Sequence, residues 1–263
     1  SEVIIKAYRQ WGRQFVERLE GMWAFALYDQ YKDVVLLSRD RFGEKPLFIY
    51  ETEEAIYAAS EVKALATISG QRLEANEDQI RRYLVNGYRS IYKTTENYFR
   101  HIEEVPRATV VTLDSNKVAA PQRYWQLDYT PTPITEQDAI EQLKDHLSNS
   151  LVSRLRADVP IAFCLSGGID STVLASYAVK HLDQEIHTFS LLDKDSRYNE
   201  LDNIEQTTKH LGCENTQIEI CSTGFWERLE TLVDYHDAPV ATISYYIHSL
   251  ISEAIHSSGY KVA

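Results

Sequence analysis

The sequence is short of positive charge. Its 39 Asp and Glu outnumber 27 Lys and Arg, which leaves a formal net charge of −12 over 263 residues. Nucleic-acid backbones demand clustered Lys and Arg, so a general nucleic-acid surface is excluded. Cysteine is also scarce: Cys164, Cys213 and Cys221 stand far apart, with no Cys-x-x-Cys pair. That spacing gives neither a disulfide framework nor a zinc site, and it suits a reducing cytoplasm. All three read as buried or incidental thiols. No apolar run is long enough to span a bilayer, and no charged segment leading into an apolar one opens the chain, so a membrane partner is not expected. There is no internal repeat. Two common phosphate-binding strings, Gly-x-x-x-x-Gly-Lys-Ser/Thr and Gly-x-Gly-x-x-Gly, are missing as well. The rest, 44% apolar and 25% charged, is the composition of an ordinary soluble protein with one large or two modest domains.

Against these absences one string stands out, Phe163-Cys164-Leu165-Ser166-Gly167-Gly168-Ile169-Asp170-Ser171-Thr172. An apolar strand over 160–165 runs into a Ser-Gly-Gly turn, and a helix follows from Asp170-Ser171. Adjacent glycines permit a sharp turn and remove the Cβ atoms that would hold a ligand away. The first helical turn offers free N–H groups and the positive end of the helix dipole, which together suit an anion. Ser166 and Ser171 add hydroxyls. A carboxylate beside a phosphate cradle repels unless a cation sits between them, so Asp170 implies Mg²⁺. The string reads as a nucleotide site.

The two halves of the chain differ in period. Strand-like segments at 22–28, 34–38, 47–50 and 55–59 are separated by polar or glycine turns. Helices near 61–67 and 77–86 follow, then strands at 109–113 and around 123–127. This predicts an α+β part with antiparallel sheets, and Pro131 and Pro133 mark a linker. Thr135 fits as the N-cap of a helix whose Ile140, Leu143, Leu147, Leu151 and Leu155 share one face. From Pro160 onward strands and helices alternate. Strands at 160–165, 186–191, 216–220 and a last one at the chain end enclose helices near 171–178, 200–211, 225–233 and 247–255. That alternation predicts α/β architecture with a parallel sheet, and Ser166–Ser171 falls where such sheets bind ligands.

The Ser-Gly-Gly-x-Asp-Ser string resembles the PP-loop of ATP pyrophosphatases. In the first half, Leu19-Glu20-Gly21-Met22-Trp23-Ala24-Phe25-Ala26-Leu27-Tyr28-Asp29, Ser38-Arg39-Asp40-Arg41-Phe42-Gly43-Glu44-Lys45-Pro46-Leu47-Phe48 and Ala59-Ser60-Glu61-Val62-Lys63-Ala64-Leu65 follow in order. They resemble the later part of a class II glutamine amidotransferase domain. The combination is similar to the glutamine-hydrolysing asparagine synthetase family. It implies an amidotransferase-like domain over 1–128 and an adenine nucleotide alpha-hydrolase-like domain, with the PP-loop, over 129–263. One departure is Val105-Pro106-Arg107-Ala108-Thr109, where the family often carries Leu-Pro-Pro-Gly-His.

The resemblance carries ATP contacts onto Leu165, Ser166, Gly167, Gly168, Asp170, Ser171 and Leu191, with Asp170 also a metal ligand. Leu191 reads equally as core. Thr242 and Ser244 precede a helix where the family binds its acceptor acid, although Ser244 is equally placed for an N-cap. His236 reads as a helix-end residue. The implied cofactors are ATP and Mg²⁺, and the implied partners are glutamine or ammonia with aspartate or another carboxylate. A homodimer is compatible with this. The family's glutaminase nucleophile is an N-terminal cysteine; none of the cysteines here lies near a terminus, so no catalytic residue is assigned. Both ends suggest an interior fragment. Arg39, Asp40 and Lys45 are expected to hold a turn through a buried ion pair rather than to catalyse. Rival readings are amidation of a sugar acid, a tRNA-modifying PP-loop enzyme and a non-catalytic nucleotide-binding remnant; the acidic charge and the unpaired cysteines oppose the tRNA enzyme.

Overall fold

The computed structural model describes residues 2–90, 94–114, 117–195 and 197–263. The chain divides into two units. One comprises Ser1–Thr130 with Val233–Ala241, the other Pro131–Leu232 with Thr242–Ala263.

The first unit opens with helix α1 (Glu2–Trp11) and a 3₁₀ segment, Gly12–Arg18. Strands β1 (Ala24–Asp29), β2 (Val34–Arg39), β3 (Phe48–Glu51) and β4 (Ile56–Ala59) follow. Next come helices α2 (Val62–Ser69) and α3 (Glu77–Asn86), then β5 (Ile102–Glu104), β6 (Thr109–Asp114), β7 (Lys117–Val118) and β8 (Gln122–Arg123). Two antiparallel sheets result, one ordered β1-β2-β6-β7 with β8 also on β6, the other β4-β3-β5.

Alternation along the strands explains the layering. Leu36 and Val110 point to one face, where they pack with Ala7, Phe15 and Val16 from the opening helical segments. Their neighbours Leu37 and Val111 point the other way, onto Ile49 and Val105 associated with the second sheet. Tyr50 and Ile102 turn to that sheet's far side and meet Val62 and Leu65 of α2. The order is helix, sheet, sheet, helix, and β2 is an unbroken Val-Val-Leu-Leu run because both its faces are covered. Each such side chain contributes about 1.5–3 kcal/mol by leaving water.

The expected antiparallel strands are present, with α3 at 77–86 as read. The strand expected around 123–127 shrinks to Gln122–Arg123. Tyr124 is diverted to packing, its ring stacked on Trp23 and its hydroxyl donating to the Arg39 carbonyl at 2.8 Å. Trp125 stands edge-on to Phe42.

In the second unit Thr135 caps α4 (Glu136–Arg154), its hydroxyl accepting from the Asp138 N–H at 3.2 Å. Of that helix's apolar face only Leu151 is buried; Ile140 and Leu143 are exposed. Then come β9 (Ala162–Cys164), α5 (Ile169–Leu182), β10 (His187–Leu192), α6 (Leu201–Leu211), β11 (Glu214–Glu219), α7 (Phe225–His236) and α8 (Ser244–Ser257). The three strands form a parallel sheet ordered β11-β10-β9. One face packs Leu165 against Ala175 and Ala178 of α5 and Ile204 and Leu211 of α6. The other packs Ala162 and Phe189 against Ile251 and Ile255 of α8. The strand expected at the chain end is a single parallel bridge between Ile161 and Val262. Among the described residues no helix is long and apolar enough to cross a membrane.

The turn after β2 shows how the first unit is pinned. Asp40, only 1% exposed, accepts N–H donors from Trp23, Phe42, Glu44 and Lys45 at 3.0–3.3 Å. Burial alone would raise its pKa, but the four donors together hold the carboxyl below its ordinary value. Arg39 donates to the carbonyls of Lys45, Val105 and Gly43 and pairs with Glu104 at 2.7 Å. The expected ion pair is therefore corrected: Arg39 and Asp40 hold the turn through backbone groups, and Arg39 has Glu104 as its ionic partner. Lys45 contributes its backbone while its side chain is exposed. Asp40→Asn should lower stability by about 2 kcal/mol, the worth of hydrogen bonds to a charged acceptor, measured by urea unfolding at pH 7. Because the native pKa is depressed, the stabilisation is complete above the unfolded-state pKa of about 3.9 and is lost as pH falls through the native value. The variant should show a shallower loss of stability in acid.

Candidate functional site

In this parallel arrangement the loop 165–168 leaves the carboxyl end of β9, where open α/β sheets place their ligands. The Leu165 N–H donates to the Phe189 carbonyl at 2.8 Å, so the loop starts while still tied to β10. Helix α5 begins at Ile169, one residue earlier than the sequence reading, and its first intrahelical bond runs from Thr172 N–H to the Gly168 carbonyl at 3.3 Å. The N–H groups of Ile169, Asp170 and Ser171 precede that bond and face the positive end of the helix dipole.

Side chains fasten the loop. The Ser171 hydroxyl accepts from Ser166 N–H at 3.1 Å and lies 2.9 Å from the Ser166 hydroxyl. That second hydroxyl accepts from Gly168 N–H at 3.2 Å. Gly167 N–H donates to the Glu200 carboxylate at 2.9 Å. Three consecutive amides are thus satisfied by two serines and an acid from the start of α6. Asp170 stands exposed in the first turn of α5.

The two glycines serve different ends, which corrects the expectation that both clear space for a ligand. A Cβ on Gly167 would lie 2.6 Å from Glu200 Cβ and 3.1 Å from Asn203 Cβ. Its missing side chain makes room for α6. A Cβ on Gly168 would meet only the Ser166 hydroxyl, at 3.2 Å. Gly168 is therefore the less crowded of the two, and its N–H already belongs to the serine clasp.

The remaining candidates separate. Leu165 is buried among α5 and α6 residues, so only its backbone could meet a ligand. Leu191 follows Phe189 by two residues on β10; Phe189 pairs with Cys164, the last residue of β9, so Leu191 stands level with the loop. Its side chain packs on the Phe189–Ile251 cluster. Thr242 is half-buried and Ser244 exposed. The cap position of α8 falls on Ile243, with no side-chain cap bond, so Ser244 is a first-turn residue and not the N-cap. His236 ends α7 as expected; burial, and then the Lys63 ammonium, hold it below its ordinary pKa. Cys164 and Cys221 are exposed and Cys213 half-buried, all three free thiols. Among the described residues no three His, Cys, Asp or Glu converge as a ready metal cage, and Asp170 would offer a cation one exposed carboxylate. Such a donor set suits Mg²⁺, which keeps several waters and binds beside phosphates.

Sequence reasoning missed Glu200. It lies 33 residues from Gly167, and no local pattern links the two.

Residues 1–125 match the family model for a glutamine amidotransferase domain, and residues 142–263 match the one for asparagine synthase. The chain is 27% identical over 241 residues to asparagine synthetase (glutamine-hydrolyzing) 1 of Bacillus subtilis strain 168, covering 92% of this chain and 37% of that protein. With asparagine synthetase (glutamine-hydrolyzing) 2 of the same organism it shares 32% identity over 212 residues, 76% of this chain and 28% of the relative. The chain thus spans well under half the length of either relative. A solved glutamine-dependent NAD⁺ synthetase from Acinetobacter baumannii, in complex with ADP, aligns at a TM-score of 0.35 and 12% identity, over 98% of this chain and 62% of that one.

Gly167→Ala should force the loop off α6 and destabilise the second unit by about 1–3 kcal/mol, the usual cost of overpacking. Gly168→Ala should cost less, because its one close contact, Ser166 Oγ at 3.2 Å, needs to give by only a few tenths of an ångström. Urea midpoints of the two variants test the ranking.

Proposed function

This chain belongs to the glutamine-hydrolysing asparagine synthetase family, and from that premise we propose that it serves an ATP-dependent, AMP-forming amide synthetase. Residues 1–128 form the amidotransferase-like domain and 129–263 the PP-loop domain, of the adenine nucleotide alpha-hydrolase kind. The substrates are ATP, glutamine as the source of ammonia, and the side-chain carboxylate of aspartate. The enzyme works in the cytoplasm, in amino-acid biosynthesis. The observation that carries this reading is the clasped loop Ser166–Ser171, seated at the carboxyl end of a parallel sheet behind an amidotransferase segment.

A carboxylate is a poor acylating agent until an oxygen is converted into a leaving group. Attack of that oxygen on the α-phosphorus expels pyrophosphate and leaves the acyl group on AMP. Ammonia then attacks the acyl carbon and AMP departs, giving the amide. The chain's part in this is placement and charge. Free N–H groups at the start of α5 receive phosphate oxygens along the helix dipole. The Ser166–Ser171 clasp keeps the loop in one conformation, and Gly168 lets the ligand approach. Asp170 would hold Mg²⁺, which supplies neutralising charge as the pyrophosphate leaves. The backbone at Leu165 and the side of β10 at Leu191 flank the adenine, and the hydroxyls of Thr242 and Ser244 bind the acceptor acid.

The intact protein carrying this chain, given Mg-ATP, glutamine and aspartate, should release pyrophosphate and form asparagine and AMP in equal amounts. A different amide from a sugar acid would reassign the acceptor while keeping the chemistry. No pyrophosphate with any carboxylate would leave a nucleotide-binding remnant. Asp170→Ala should reduce kcat/KM for Mg-ATP by about 10²–10³, the effect of removing one preorganised charge-stabilising group, as read by coupled pyrophosphate release.

A further inference from the structure

The position of Glu200 in the fold is unusual in what it does not do. It occupies the N-cap of α6, where a side chain ordinarily accepts an N–H of its own helix, yet it makes no cap bond. Asn199 takes over that task, its side-chain oxygen accepting from Leu201 N–H at 2.8 Å. Freed from capping, the Glu200 carboxylate reaches across to the loop and accepts from Gly167 N–H at 2.9 Å.

A second observation fixes the meaning of that bond. The Cβ that Gly167 lacks would lie 2.6 Å from Glu200 Cβ, 3.1 Å from Asn203 Cβ and 3.3 Å from Glu200 Cδ. The Gly167 backbone is therefore seated directly on the first turn of α6, and its N–H points into that contact. In this structure that amide is taken up by the Glu200 carboxylate. Helix α6 is in turn anchored in the core by Ile204, 1% exposed, and Leu211. Through Glu200 the rigid face of α6 reaches the loop at the residue just before Gly168.

We propose that Glu200 is a positioning residue: its carboxylate pins the Gly167 peptide to α6, so that Gly168 and the first amides of α5 are held in the orientation that receives a triphosphate. The nucleotide half of this statement rests on the function proposed above; the pinning of Gly167 does not.

Glu200→Ala and Glu200→Gln, made in the intact protein, decide the matter with two readouts. Hydrogen exchange at the Gly167 amide needs no nucleotide. It should quicken about tenfold or more in the alanine variant, as expected for losing a hydrogen bond to a charged acceptor, and should stay close to wild type in the glutamine variant, which keeps an acceptor. Mg-ATP affinity by calorimetry should fall about tenfold in the alanine variant and recover in the glutamine variant, with the melting transition of the second unit little changed because Asn199 still caps α6. Unchanged exchange at Gly167 overturns the proposal. So does tighter Mg-ATP binding in the alanine variant, which would make Glu200 a competitor of phosphate. If wild type binds no Mg-ATP, the nucleotide reading fails alone, and exchange at Gly167 still decides whether Glu200 pins the loop.

Discussion

A backbone N–H that leaves a strand without entering a helix or another strand must find an acceptor, or its burial costs a hydrogen bond's worth of free energy. Each unit of this chain meets that demand at its sharpest turn with side chains. After β2 a single carboxylate, Asp40, collects four N–H groups, and Arg39 answers with three carbonyls. After β9 the task is divided among Ser166, Ser171 and Glu200. The two solutions differ in exposure. Asp40 is sealed, with its charge spent on structure, whereas the clasp after β9 is open to solvent on the side of α5.

That difference separates a scaffold turn from the turn proposed to bind a ligand. A sealed carboxylate surrounded by donors has no capacity left for a ligand. An open loop with its own amides fastened keeps the adjacent helix start available, and pre-organisation of this kind lowers the ordering cost of binding. Charged residues in the Ser38–Phe48 motif are thus explained by stability, while the recognition chemistry is proposed for the plainer Ser-Gly-Gly string. The layered sheets support the distinction. Helix, sheet, sheet, helix in the first unit buries β2 on both faces, and the parallel sheet of the second is covered by α5 and α6 on one side and α8 on the other.

Much of this was legible from periodicity. Two-residue alternation marked the antiparallel strands, and alternating strand and helix patterns marked the parallel sheet. The Thr135 cap follows from local capping chemistry. Where the reading went astray, contacts distant in sequence had the deciding role. Tyr124 and Trp125 read as strand, but Trp23 and Phe42, far back in the chain, draw them into aromatic packing. The apolar spacing of Ile140 and Leu143 implied a covered face, and the structure leaves both exposed. Arg39 and Asp40, adjacent and opposite in charge, suggested each other as partners; strand geometry sends neighbouring side chains apart, and each found its partners elsewhere.

Sequence alone determined the order of most elements, though not β5 or β7, together with the Ser-Gly-Gly-Ile-Asp-Ser turn and its suitability for an anion, because these depend on residues within a few positions of one another. Tertiary structure alone decided why Gly167 is glycine and what Glu200 does. The physical reason is distance along the chain: a glycine states that something approaches closely, but only the folded packing of α6 on the loop says that the visitor is a helix at one glycine and a single serine hydroxyl at the next.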